Sequence, residues 1–129
     1  MSKVLTAAEI LKADDRKIET VPVPEWNGSV MIREMSGAEK DKFDVSLRDS
    51  DDKLNFDNYR AKIVASCACD ENGVLIFTPS QVTALGLKSS VVLTRLVKVA
   101  ERLNGMNKEA VAAAKKDSEP EASDASPSA

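Results

Sequence analysis

The chain has 129 residues, a formal net charge of −3, no histidine and two cysteines. This length predicts one domain with a modest core, and the lack of histidine removes the commonest general base and the commonest metal ligand. No apolar run approaches the ~20 residues of a membrane span, and no secretory signal begins the chain, so we expect no membrane partner and no export.

Charge is distributed unevenly along the sequence. Residues 117–129 contain four acidic side chains and no basic one, so they carry −4 and leave +1 on residues 1–116. A near-neutral body lacks the basic stripe that binding to phosphates requires. The composition therefore argues against nucleic acid as a partner.

The N-terminal end predicts one short helix. Thr6 and Glu9 have the spacing of a capping box, which favours a helix from Ala7 to about Ala13. A helix this short is marginal by itself, so we expect it to form only if its apolar side chains dock on something.

A β-hairpin is predicted next, with residues 17–25 as its first strand and an edge of the sheet. A two-residue loop at 27–28 would point the missing amide donors of Pro22 and Pro24 at the second strand and delete ladder bonds. A three-residue loop at 26–28, with Gly28 left-handed, points them outward instead and protects the edge. We favour the longer loop, with Trp26 packing back onto the core.

The rest of the body is predicted to be helical, because capping signals and apolar residues at helical spacing recur along it. The run at 74–77 is compatible with a short additional strand. The fold class is thus mainly α: a small helical domain with a short N-terminal hairpin, over residues 1–116, and a disordered acidic tail over 117–129. The predicted bounds are about 17–35 for the hairpin and about 37–47, 57–68, 79–85, 90–104 and 107–116 for the helices.

No catalytic, cofactor-binding or metal-binding motif is found in the sequence. Cys67 and Cys69 lie two apart in a helical pattern, so they can neither bridge each other nor easily share a metal. The acidic stretch that begins at Asp49 fails as a calcium loop, because its sixth and twelfth positions hold Leu54 and Arg60. We therefore predict no cofactor, no metal and no catalytic residue.

The predicted helix 90–104 has more apolar positions than one packing seam needs. Such a wide stripe is normally buried, and an edge that stays uncovered becomes a contact with another subunit. We accordingly predict a partner-binding edge formed by Val91, Leu93 and Val97.

Several motifs together resemble a known family. Residues 21–26, Gly28 and the following alternating strand, and residues 33–39 are similar to the tail assembly chaperones of long, non-contractile-tailed bacteriophages, the group of the lambda minor tail protein G. The likeness covers roughly residues 20–106 and continues through 60–65, 70–73, 76–78, 85–89 and 100–105.

This resemblance implies a non-enzymatic chaperone that binds the phage tape measure protein and keeps it soluble during tail morphogenesis. Such a protein would act in the host cell cytoplasm and be absent from the mature virion. The family also implies self-association into an open oligomer, since a contact that does not close extends indefinitely. The alternative is a structural or adaptor subunit of a phage tail or head–tail junction.

The family further implies a longer form of the chain, made by ribosomal frameshifting. Residues 114–116, Ala-Lys-Lys, would contain a slippery heptamer if they were encoded GCA-AAA-AAG. Two adjacent lysines are also common without any frameshift, so the codons of the gene decide between these interpretations.

Overall fold

The computed structural model of the protein describes residues 2–106. These residues form five α-helices and a three-stranded antiparallel sheet with strand order β1-β2-β3. The predicted helix at 107–116 and the acidic tail at 117–129 lie outside the described residues. The elements in chain order are α1 Ala7–Lys12, β1 Ile18–Val23, β2 Gly28–Arg33, α2 Gly37–Ser46, α3 Tyr59–Cys67, β3 Ala68–Cys69, α4 Val82–Leu85 and α5 Ser90–Leu103.

The hairpin forms as predicted, but its loop differs. Val23 pairs with Gly28, so the loop has four residues, and it contains a 3-10 turn at Pro24–Trp26. Asn27, with φ of 57°, takes the left-handed conformation that we expected at Gly28. The prediction of a three-residue loop is therefore wrong: the fixed φ of Pro24 starts the turn earlier, and asparagine tolerates the left-handed region.

The predicted orientation of Pro22 is confirmed. The Glu34 amide donates to the Lys17 carbonyl at 2.8 Å, and bonded and non-bonded pairs alternate along an antiparallel ladder. Pro22, opposite Ser29, falls on a non-bonded pair, so its missing donor lies on the outer edge of β1. Trp26 at the hairpin tip is 37% exposed rather than packed into the core, which corrects our expectation for it.

The predicted helix 57–68 is shorter at both ends. The Asp57 amide donates to the Asn55 side chain and Asn58 is left-handed, so α3 begins only at Tyr59. At the other end Ala68 turns extended and enters the sheet opposite Ile32. Cys69 consequently lies on β3 and not on a helix.

The predicted helices near 7–13, 37–47 and 90–104 agree closely with the structure, whereas the segments 79–85 and 74–77 differ in detail. The capping boxes at the starts of α1 and α2 are both present, and Ser89 caps α5. The predicted helix 79–85 divides into a 3-10 turn, Pro79–Gln81, followed by α4. The run at 74–77 forms a single bridge, from Leu75 to Cys69, and no strand.

Helix α5 lies at the centre of the described fold. One side of it packs against α3, and the other contacts β1 and β2 of the sheet. The largest side chains that are less than 2% exposed come from all three layers: Val23, Ile32, Ile63, Val64, Cys67, Val92 and Leu96. No helix among residues 2–106 is both long enough and apolar enough to span a membrane.

Candidate interaction surfaces

The predicted edge of α5 is mostly buried. Leu93 is 2% and Val97 is 6% exposed, whereas Val91 is 68% exposed. The expectation that Leu93 and Val97 face solvent is therefore wrong, because α5 is covered on two sides, by α3 and by the sheet, rather than on one. Partner binding at Val91 stays a prediction.

Two further apolar side chains are exposed on segments that meet the start of α5 around one cavity. Leu87 is 85% and Phe56 is 59% exposed. Phe56 and the neighbours of Leu87 and Val91 in sequence, Gly86 and Ser90, line one cavity of about 260 Å³. We name Phe56, Leu87 and Val91 together the Phe56 patch.

The Asn58 side chain holds the loop before α3 against the segment 82–86, which contains α4 and Gly86. The left-handed Asn58 donates from its side-chain amide to the Val82 carbonyl at 3.3 Å. A Cβ at Gly86 would collide with that same amide group, so only glycine fits here without a shift of Asn58. The sequence signalled Gly86 as a helix end, but it gave no sign of this contact.

Two further aromatic side chains, Tyr59 and Phe43, connect Phe56 of the patch to the core. Phe56 and Phe43 each lie edge-on to Tyr59, with ring centroids 6.1 and 6.0 Å away. The Tyr59 hydroxyl donates to Glu101 at 2.9 Å. Burial and this carboxylate raise the pKa of Tyr59, so the phenol stays neutral and structural.

A second apolar surface lies between α2, α3 and residues 75–82. This α2–α3 groove encloses about 270 Å³. Its walls are mainly apolar, and Lys42 and Lys62 also line it. The apolar side chains that line it include Phe43, Leu75, Phe77, Pro79 and Val82.

Helix α1 presents a third apolar surface, because none of its residues is buried. Leu5 and Ile10 are 55% and 56% exposed, and Leu11 is 85% exposed. From the sequence, this helix is expected to form only if its apolar side chains dock on another surface. Within residues 2–106 it has its capping box but no buried apolar contact.

The main buried charge is paired and leaves no reactive group. Arg33, 5% exposed, donates to both carboxylate oxygens of Glu39 at 2.7 and 2.6 Å. The guanidinium, together with the amide of Ser36, lowers the pKa of Glu39 to about 2. The Arg33 Nε is buried and has no hydrogen-bond partner among the described residues.

The environments of Cys67 and Asp49 also indicate structural roles. Burial raises the pKa of the Cys67 thiol to about 11, which makes it a poor nucleophile at neutral pH. The Asp49 carboxylate accepts from the amides of Asp51 and Lys53, so it orders its own loop. Within residues 2–106, no group of three or more histidine, cysteine, aspartate or glutamate side chains is placed to hold a metal ion. What the described surface offers is apolar contact.

The sequence pattern of the phage tail assembly chaperones matches residues 9–117, so the chain belongs to that family. The resemblance described from the sequence is thereby confirmed. The solved structure of the bacteriophage HK97 tail assembly chaperone is similar, with 25% identity and a TM-score of 0.51, over 74% of this chain and 90% of that chain. No curated protein matches the chain.

Proposed function

We propose that this protein is a non-enzymatic tail assembly chaperone that binds the phage tape measure protein and keeps it soluble. It acts in the host cell cytoplasm during tail morphogenesis and is absent from the mature virion. The observation that carries the proposal is the family match over residues 9–117. The exposed apolar surfaces of the body give such a chaperone a means of holding a client.

The Phe56 patch is the face that we assign to the client. Its three large apolar side chains are each more than half exposed to water, which is unfavourable. The free energy falls when another chain covers them. The Gly86–Asn58 contact fixes the loops that carry Phe56 and Leu87, and Val91 lies on α5, so little order is lost on binding. Arg60 and Lys88 line the same cavity and can pair with acidic residues of a client helix.

Co-expression with the tape measure protein tests this proposal. The wild-type chain should raise the soluble fraction of the tape measure protein, and the double variant L87Q/V91Q should lose most of that effect. Val45→Gln is the matched control, since Val45 is a 70% exposed valine on α2 outside the patch. A wild-type chain that leaves the client's solubility unchanged would refute the chaperone function.

Purified virions separate the chaperone from the alternative of a structural or adaptor subunit. Mass spectrometry of intact particles should detect the tape measure protein and none of this chain. Stoichiometric recovery of this chain in virions would favour the structural subunit.

The proposed function also includes self-association into an open oligomer and a longer frameshifted form of the chain. The lysine pair that motivates the frameshift lies at 115–116, outside the described residues. Codons that interrupt the run of adenines, or a closed −1 frame downstream, would exclude the frameshift.

A further inference from the structure

The N-terminal arm, residues 3–12, carries an apolar knob that its own body leaves uncovered. Leu5 stands just before the cap Thr6, and Ile10 follows the capping-box residue Glu9, which are the two positions of a hydrophobic staple. Both side chains are still more than half exposed, and Leu11 beside them is 85% exposed. A helix of six residues gains little stability alone, so a partner surface would add most of it.

The base of the arm is fixed to the body at the rim of the α2–α3 groove. Arg16 pairs with Glu39, a residue that lines the groove, at 3.3 Å. The Lys17 amide donates to the Glu34 side chain at 3.3 Å, and its carbonyl accepts from the Glu34 amide at 2.8 Å. Residues 13–15 alone join this anchor to α1, and α1 buries nothing on its own chain.

The groove has the complementary properties. Its walls are mainly apolar, and it has room for aliphatic side chains in about 270 Å³. Lys42 and Lys62 line it, and neither has an ion-pair partner among residues 2–106. The Lys62 ammonium donates one hydrogen bond, to the Ser46 carbonyl at 2.9 Å. Asp14 and Asp15, which directly follow α1, likewise form no ion pair in that range, so the arm brings two carboxylates to a site with two ammonium groups.

We propose that the N-terminal arm of one copy docks in the α2–α3 groove of a second copy. The knob of Leu5 and Ile10 fills the groove, and the aspartates at 14 and 15 face the two groove lysines. Arm and groove are different surfaces, so each bound copy still offers a free groove or a free arm, and the assembly grows head to tail without closing. This inference deepens the proposed self-association by naming its two faces, and it leaves the Phe56 patch free for the client.

Sedimentation velocity of the full chain over a wide concentration range tests the contact without any client. The wild type should form larger species as its concentration rises. The variant L5Q/I10Q should remain a monomer, with unchanged thermal unfolding because neither side chain is in the core. L87Q/V91Q is the matched control, since it removes two exposed apolar side chains elsewhere and should assemble like the wild type.

Charge reversal tests the pairing itself. D14K/D15K and K42E/K62E should each weaken assembly at least tenfold in protein concentration, and the variant with all four changes should regain it. A mixture of L5Q/I10Q with K42E/K62E should stop at a dimer, because it contains one intact groove and one intact arm.

A wild type that is monomeric at every concentration, or an L5Q/I10Q variant that assembles normally, would overturn the proposal. The proposal would also fail if the variant with all four charge changes stayed monomeric while it folded normally. Because no client is present, failure here is distinct from failure of tape measure binding, which the co-expression experiment measures.

Discussion

Arg33 joins the end of β2 to the first turn of α2 through a buried charge pair. Its partner Glu39 also closes the capping box, accepting from the Ser36 amide at 2.8 Å. One carboxylate therefore satisfies a helix start and a buried guanidinium together. Removing it would leave a charge in the core without its partner, which is costly.

The pH dependence of stability should report this pair. The folded pKa of Glu39, about 2, lies below its ordinary value of 4.5, so the pair stabilises the fold above pH 4.5 and the stability is lost as the pH falls toward 2. We expect a loss of about 2 kcal/mol in the free energy of unfolding from Glu39 between pH 5 and pH 3.

Urea titrations of the wild type and of Glu39→Gln measure this contribution. Glu25 also has a pKa lowered to about 2, by Arg95, so only the difference between the two proteins isolates Glu39. The variant should be less stable at neutral pH and should lose less on acidification. Equal slopes in both proteins would show that the Arg33 pair does not stabilise the fold.

Part of this local structure could be predicted from residues that are close together in the sequence. Ser36 and Glu39 stand three apart before an apolar face, and that spacing alone indicates a capping box. The Arg33 contact was not predictable, because it depends on how β2 turns into α2. Nor was the left-handed conformation of Asn27 and Asn58, since asparagine adopts several backbone conformations at similar cost.

At the scale of elements, substitutions on the buried and exposed faces of α5 should change the free energy of unfolding by very different amounts. Leu96 is fully buried, so Leu96→Ala should lower the free energy of unfolding by about 3 kcal/mol, through lost burial and a cavity. Val91, 68% exposed on the same helix, should change it by less than about 0.5 kcal/mol when replaced by alanine.

Equilibrium unfolding in urea distinguishes these two variants. A large loss for Val91→Ala would mean that the exposed end of α5 is covered in solution, and it would remove Val91 from the Phe56 patch. An unchanged Leu96→Ala variant would contradict the central position of α5.

Hydrophobic periodicity predicted that α5 exists and which positions are apolar. It could not predict that both α3 and the sheet pack against this apolar stripe. A wide stripe is equally compatible with two packing neighbours or with one neighbour and an exposed edge. Leu93 and Val97 were assigned to the surface for that reason. Leu87 lies outside the helices and carries no periodic signal. Phe56 stands at helical spacing from Tyr59, Ile63 and Cys67, but it lies in the loop before α3 rather than on that helix.

For the whole molecule, the sequence predicted a helical body with a hairpin, and the structure adds how the parts are joined. Residues 68–69 extend α3 directly into the sheet, so the hairpin and the helices share one core rather than forming separate units. This junction was missed because Ala68 and Cys69 continue a pattern that reads as helix, and only pairing with β2 makes them extended.

The same junction contains both thiols of the chain, with Cys67 fully buried and Cys69 4% exposed. Alkylating reagents can therefore reach a thiol only after sheet and helices separate. We expect the native protein to be alkylated more than about a hundredfold slower than the unfolded chain. Under slow labelling, mass spectra should show molecules with no adduct or with two. Accumulation of a single adduct at Cys69 would mean instead that this strand frays independently of the core.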